Sequence, residues 1–480
     1  MECTQNRSEN MSGKATTEKS KTKKAESLPK GWKRVKVGDI LRYKKGKPPV
    51  KNITESDIGS FPYLTPEYLR GISPPQYVIK TKNLVEITDD KRIILLWDGS
   101  NAGEFFMSKK GFLASTMVVL DLFDNTSYSD FVYYVLKSNE EFLKGQTSGS
   151  GIPHVDKNVF NSVVILLPPL PEQQKIVEIL ETVDNAIEKT DAIIEKYRRI
   201  KKGLMADLLT GKIRLIPYGH SEAEGEESPL LTSPKAKKFV IGNKTFVAVP
   251  NQKWRNTPIG KIPEDWEVVK LEEVAIKDGI VRGPFGGMLK KENFVSEGYK
   301  VYEQGNAIYK TINLGNYYID RKKYKQMLRF AVKQNDFIIS CSGTIGKICM
   351  IPQNFEEGVI NQALLKITIN DKKFDHKFFE YYFEWDAFQN KIIDYTQGGA
   401  MQNLIGINEF KKVNFPLPPL PEQQLIADVL SQVDEVIEKE IQYKEKLERI
   451  KKGLMEDLLT GKVRVNNLIK EDIQNDTKVL

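Results

Sequence analysis

Residues 168–214, PPLPEQQKIVEILETVDNAIEKTDAIIEKYRRIKKGLMADLLTGKIR, return at 418–464 as PPLPEQQLIADVLSQVDEVIEKEIQYKEKLERIKKGLMEDLLTGKVR, with 30 of the 47 positions identical and no gap. An offset of 250 residues (418 against 168) makes this a duplicated module, since solenoid repeats run about 20–50 residues. Each copy reads as one long helix. Pro171 and Pro421 suit the first helical position, where a missing N–H costs nothing. Glu172 and Glu422 place negative charge at the positive end of the helix dipole. Gly211 and Gly461, each followed by a lysine, mark the stop.

Apolar residues recur at Ile176, Leu180, Val183, Ile187, Ile194, Tyr197, Leu204 and Leu208, and again at Ile426, Leu430, Val433, Ile437, Leu447, Leu454 and Leu458. Their steps alternate between four and three, or sum to seven across a gap, which is a coiled-coil seam of period 3.5. Such a helix spans about 57 Å. It cannot bury its seam alone, and the nearest partner is its own copy. The expected arrangement is an antiparallel pair forming a rigid spacer between two globular domains. A coiled coil that serves only dimerisation is the alternative.

A length of 480 residues leaves room for about two to four domains. No apolar run reaches membrane-spanning length, and the N-terminus lacks a signal-peptide core, so a cytoplasmic chain with no membrane contact is expected. Among Cys3, Cys341, Cys349, His154, His220 and His376 no pair has zinc-ligand spacing except Cys341–Cys349, which has no second half, and these two read as small buried hydrophobes. The net charge of +8 fits a nucleic-acid partner without requiring one. The excess is thin: 19 basic against 15 acidic residues over 28–167, and 21 against 20 over 262–417.

In chain order, 1–27 is a polar, Lys-rich disordered tail. A first domain, 28–167, opens at LPKGW. It holds a strand–turn–strand at RIILLWDGSNAGEFF (92–106), a strand at STMVVLDL (115–122), an amphipathic helix at 131–143 and a Gly/Ser loop at TSGSGIPHV (147–155). The first long helix occupies 168–214. The connector, 215–256, contains a flexible link at 219–238 and a hairpin over Gly242–Asn243. The second domain, 257–417, repeats the order of parts from IPEDW onward, and the second helix (418–464) and a tail (465–480) follow. The fold class is α+β, with two mixed α/β domains, a helix pair and internal pseudo-two-fold duplication. Domains that share an outline but little sequence, on helices that share most of theirs, point to one mechanical task and two targets.

The LPPLPEQQxI helix start, the heptad helix, the LLTGKxR exit and the IGxIPxDW opening (Ile259, Gly260, Ile262, Pro263, Asp265, Trp266) together resemble the specificity subunit of type I restriction–modification systems. The resemblance covers nearly all of residues 28–465. It implies that each domain is a target-recognition domain reading one half of a split, asymmetric DNA site, and that the paired helices fix the gap. It further implies two adenine-methyltransferase subunits as partners, and motor/nuclease subunits that can join them. The specificity chain of a type IIB-like enzyme and a coiled-coil adaptor that binds no DNA are the alternatives.

The sequence contains no NPPY-like or DPPY-like motif, no FxGxG strand end and no G-x-x-x-x-G-K-[ST] loop. The chain is therefore expected to be non-catalytic and to carry no metal or cofactor. S-adenosylmethionine belongs to the methyltransferase partner, and ATP and magnesium to the motor/nuclease partner. Base and phosphate contacts call for polar and basic side chains on loops. In the first domain these are Ser100, Asn101, Lys109, Lys110, Ser148, His154 and Lys157. In the second they are Arg282, Lys290, Lys291, Ser342, Thr344, Lys347, Gln402 and Asn403. The basic stretch RKKYKQMLR (321–329) could touch phosphate or serve as a solvated face. Glu172, Gln173 and Gln174, with their copies Glu422, Gln423 and Gln424, are candidates for partner or interdomain contacts, because repetition of the whole string exceeds what helix capping needs.

Overall fold

The computed structural model describes residues 28–50, 52–53, 59–88, 91–148, 152–216, 236–241, 244–394, 403–404 and 406–469. They form two compact units, one of residues up to Ile187 together with those from Leu447 onward, the other Glu188–Lys446. Each unit holds one globular domain and one end of each long helix.

The long helices run Leu170–Leu208 and Leu420–Leu459, 39 and 40 residues. Pro171 and Pro421 sit at the second helical residue rather than the first. Every seam position named above is buried or half-buried, and Thr190, 3% exposed, fills the gap between Ile187 and Ile194. In the first unit Lys451 pairs with Asp184 at 2.5 Å and Arg464 with Glu172 at 2.6 Å. In the second, Lys444 pairs with Asp191 and Lys201 with Asp434, both at 2.7 Å. Rising numbers meet falling ones, so the helix segments run antiparallel within each unit. No described helix is long and apolar enough to cross a membrane.

Both domains follow one plan. The first has a four-stranded antiparallel sheet ordered Leu41–Lys45, Met117–Leu122, Ile93–Leu96, Phe105–Met107; the second has Ala275–Arg282, Leu364–Ile369, Phe337–Ser340, Ile348–Met350. The inner strands, IILL and FIIS, are buried at every residue, as apolar runs of this length require. Each domain adds a mixed sheet with one parallel pair, Tyr63 opposite Phe112 or Tyr302 opposite Ile360. A two-stranded ribbon then leads into the long helix, Lys33–Lys36 with Val164–Leu167 and Glu267–Lys270 with Asn414–Leu417.

The structure corrects three expectations. The helix expected over 131–143 is two, Ser129–Ser138 and Glu140–Lys144, broken where Asn139 turns its side chain back to the Val135 carbonyl at 2.8 Å. The connector hairpin, Lys237–Ile241 with Lys244–Pro250, is there but is not isolated. It takes the helix exit Ile213–Ile216 as a third strand and buries Phe246 in the core of the second unit. The tail expected from 465 begins instead with Val465 buried against the first domain. Residues 1–27 and 217–235 and the Gly242–Asn243 turn lie outside the described residues.

Candidate nucleic-acid interface

Each domain has a turn after the second strand, in chain order, of its four-stranded sheet, and in the first domain it is pinned from below. In the first domain this is Trp97–Glu104. Val155 N–H donates to the Trp97 carbonyl at 2.9 Å and Gly99 N–H to the Pro153 carbonyl at 2.9 Å, and Asp98 bridges His154. Ser148 pairs with His154 across the short ribbon beside it. Lys157 lies over the Tyr43 ring at 5.6 Å, and Tyr43 stacks on Trp97 at 5.0 Å. The fold thus gathers Ser100, Asn101, Ser148, His154 and Lys157, which the sequence scatters over 58 positions (100 to 157). Ser100 and Asn101 are exposed at the rim of a cleft of about 380 Å³ that also takes in Tyr63, Thr65, Arg70 and Asp98. Lys109 and Lys110 stand at the opposite end of the same hairpin, with Lys109 over Tyr68 at 4.5 Å.

The second domain has a shorter turn at the equivalent place, Cys341–Lys347. Ser342, Thr344 and Lys347 are exposed on it, and Arg282 stands at the end of the outer strand, half-buried. Lys290 and Lys291 are exposed on the single turn at Lys291–Asn293. The Asn403 backbone pairs with Asp394. Gln402 and the side chains of Ser148 and Asn403 lie outside the described residues. Arg321, Lys322, Lys325 and Arg329 are exposed on and just after the helix Arg321–Gln326, whose Tyr324 stacks on Tyr299 at 3.8 Å.

Sequence reasoning missed Lys45, which pairs with Asp98 at 2.6 Å and occupies the same sheet position as Arg282. Lys45 lies opposite Val118 and Leu95 in one row, Arg282 opposite Leu365 and Ile339 in the other. The available signal was a basic residue before glycine at the end of the first long strand. A Cβ on Gly46 would meet the Ala114 carbonyl oxygen at 2.0 Å, and one on Gly283 the Asn361 carbonyl oxygen at 1.8 Å, so only glycine fits.

The repeated PEQ string does different work. The Glu172 carboxylate, 2% exposed, accepts the Trp32 indole N–H at 3.1 Å and the Arg464 guanidinium at 2.6 and 2.8 Å. The Glu422 carboxylate accepts Trp266 at 2.9 Å and Arg214 at 2.6 Å twice. Gln173 donates to the Thr126 and Pro168 carbonyls and accepts from Tyr128 N–H. Gln423 does the same with Lys373, Pro418 and Asp375. Each clasp ties a domain opening, the start of the helix that follows it and the exit of the other helix. Gly461 packs under Trp32 and Gly211 under Trp266 and Pro263. Glu172, Gln173, Glu422 and Gln423 are therefore consumed inside the units, whereas Gln174 and Gln424 are exposed. The signal was available: Trp, Glu and Arg recur in both halves.

A second repeated contact fastens each domain to the helices. Tyr134 donates to Asp184 at 2.6 Å and Tyr381 to Asp434 at 2.8 Å, with Lys451 and Lys201 on the same carboxylates. Burial and the adjacent carboxylate push both phenols well above their ordinary range. Burial also raises the Cys341 thiol to about 12 and the Cys349 thiol to about 11, so both stay protonated and unreactive at neutral pH. Among the described residues no group of three His, Cys, Asp or Glu side chains could hold a metal.

The family described as "Type I restriction modification DNA specificity domain" matches residues 29–196 and again 263–449. This chain belongs to the type I restriction–modification DNA specificity family. The MjaVIII specificity subunit of Methanocaldococcus jannaschii is 34% identical over 451 residues, 92% of this chain and 95% of that one. The EcoBI specificity subunit of Escherichia coli is 20% identical over 374 residues, 77% and 70% of the two chains. Among solved structures, the type I S subunit from M. genitalium covers 89% of this chain and 96% of its own, at 15% identity and a TM-score of 0.49. Each family match in this specificity chain takes in one domain and the beginning of the long helix after it.

Proposed function

We propose that this chain is the sequence-reading component of a type I restriction–modification complex. Each domain reads one half of a bipartite, asymmetric DNA site, and catalysis comes from partners. These are two adenine-methyltransferase subunits, which bring S-adenosylmethionine, and motor/nuclease subunits, which bring ATP and magnesium. The observation that carries the reading is the contrast between clasps built from the same residues and reading turns built from different ones. Two copies of one partner suit a surface that occurs twice. The string IKKGLM recurs at 200–205 and 450–455, with Ile200 and Ile450 exposed and nothing within 4 Å of where a Cβ would sit on Gly203 or Gly453. A glycine inside a helix costs roughly 1 kcal/mol, and no contact among the described residues accounts for it at either position.

The test is to co-express the chain with its methyltransferase subunits and map methylated adenines across the genome. The expected motif has two specified halves around an unspecified gap. Exchanging residues 28–167 for the corresponding domain of a relative should rewrite one half and leave the other. A change in both halves, or in neither, rejects the reading. The purified chain alone should transfer no methyl group.

A further inference from the structure

The two readers differ in charge at one equivalent place. In the first, Lys45 is neutralised by Asp98, the second residue beyond the strand Ile93–Leu96. In the second, that position beyond Phe337–Ser340 is Ser342, and no described carboxylate pairs with Arg282. The correspondence is fixed by the same backbone bonds: Trp97 N–H to the Thr116 carbonyl and Cys341 N–H to the Ala363 carbonyl, both 2.8 Å. Arg282 Nε is buried with no hydrogen-bond partner. Its side chain lies beside the Cys341 thiol, which supplies no charge at neutral pH. Gly283 N–H donates to the Leu364 carbonyl at 2.9 Å, and the contact with Asn361 leaves no slack, so the base of the Arg282 side chain is held. Beyond Pro284 the Phe285 ring is 70% exposed.

We propose that Arg282 is a specificity-determining residue of the second reader, presenting its guanidinium fork to a guanine edge in that half-site while Phe285 covers the contact from water. This rests on the DNA-reading function proposed above. A cation that only neutralises phosphate needs reach and freedom, and lysine on an open loop serves. A planar five-donor group on a fixed strand end, with no carboxylate of its own, matches an edge that offers two acceptors side by side, and guanine O6 and N7 are that edge in the major groove. The first reader has no such free group at this position, so the two half-sites are read by different chemistry there.

The experiment uses the full chain with its methyltransferase subunits. Wild type, Arg282→Gln and Arg282→Lys are each expressed in a methylation-free host, and the methylated motif is read from the genome. Expected for Arg282→Gln is relaxation at one G·C pair, confined to the half that exchange of residues 28–167 leaves unchanged. Methylation of the original site should fall roughly 10- to 100-fold. Arg282→Lys keeps the charge and loses the fork. It should bind a non-cognate duplex with the wild-type salt slope while discriminating less at the same pair, which a misfolded domain would not do. If either variant methylates the wild-type motif at the wild-type rate, Arg282 does not read a base. If wild type directs no bipartite methylation at all, the DNA-reading function itself falls.

Discussion

The two clasps and the two sheet-end turns were copied together, and only the clasps stayed alike. Trp32, Glu172 and Arg464 make the same bonds as Trp266, Glu422 and Arg214. The clasps differ at one rim position. Asp265 adds a bidentate pair to Arg214 at 2.8 Å, where the first clasp has Gly31 and Arg464 donates to the Lys30 carbonyl at 3.2 Å. Both clasp carboxylates are buried, and a buried charge tolerates no change of partner. The turns point into solvent, where exchanging Asp98 for Ser342 leaves Arg282 without a carboxylate but only half-buried. Burial explains which half of the duplication was free to diverge.

The largest expected effect tests the clasps against each other. Glu172→Ala should cost about 3 kcal/mol, because it leaves the Arg464 guanidinium without a carboxylate partner, and Glu422→Ala should cost less, because Asp265 still pairs with Arg214. Denaturant unfolding gives the loss, and amide exchange should place it in the first unit for one variant and the second unit for the other. A loss confined to the same unit in both cases would break the equivalence. Next come Tyr134→Phe and Tyr381→Phe, each removing one hydrogen bond to a carboxylate, for about 1.5–3 kcal/mol. The loss at Tyr381 should be the larger, because its hydroxyl also meets Ser431 at 3.1 Å.

The smallest effect isolates the rim difference. Hydrogen bonds from Arg214 hold the Asp265 carboxyl below its ordinary 3.8. A carboxyl depressed on folding stabilises the fold above its unfolded value, and that contribution is lost as pH falls through the lower, folded value. The second unit should therefore lose stability below about pH 4 by a step that Asp265→Asn removes, and the first unit, with Gly31, should lack it. Thermal melts between neutral pH and pH 3 of wild type and Asp265→Asn would show it.

Much of this scaffold was legible in the sequence because its signals are local. The heptad seam, the stops at Gly211 and Gly461 and the strand–turn–strand segments all follow from spacing within a few residues. Which residues the clasps join was not: Trp, Glu and Arg recur in both halves, but Trp32 and Arg464 lie 140 and 292 positions from Glu172 and spacing carries nothing over that range. The gathering of Ser100 with His154 was equally hidden, since it depends on a ribbon crossing beneath the turn. The equivalence of Lys45 and Arg282 needed the sheet register, because their turns differ in length and the domains share little sequence.

Glu172 meets Arg464, so the first unit is discontinuous in the chain while the second is continuous from Glu188 to Lys446. On a ribosome the later unit can close before the earlier one. The first domain must wait, with Trp32 and a lone carboxylate uncovered, until Arg464 has been made. A nascent chain cut short before residue 464 would leave that domain permanently unfastened, which hands quality-control proteases a ready mark of incomplete synthesis.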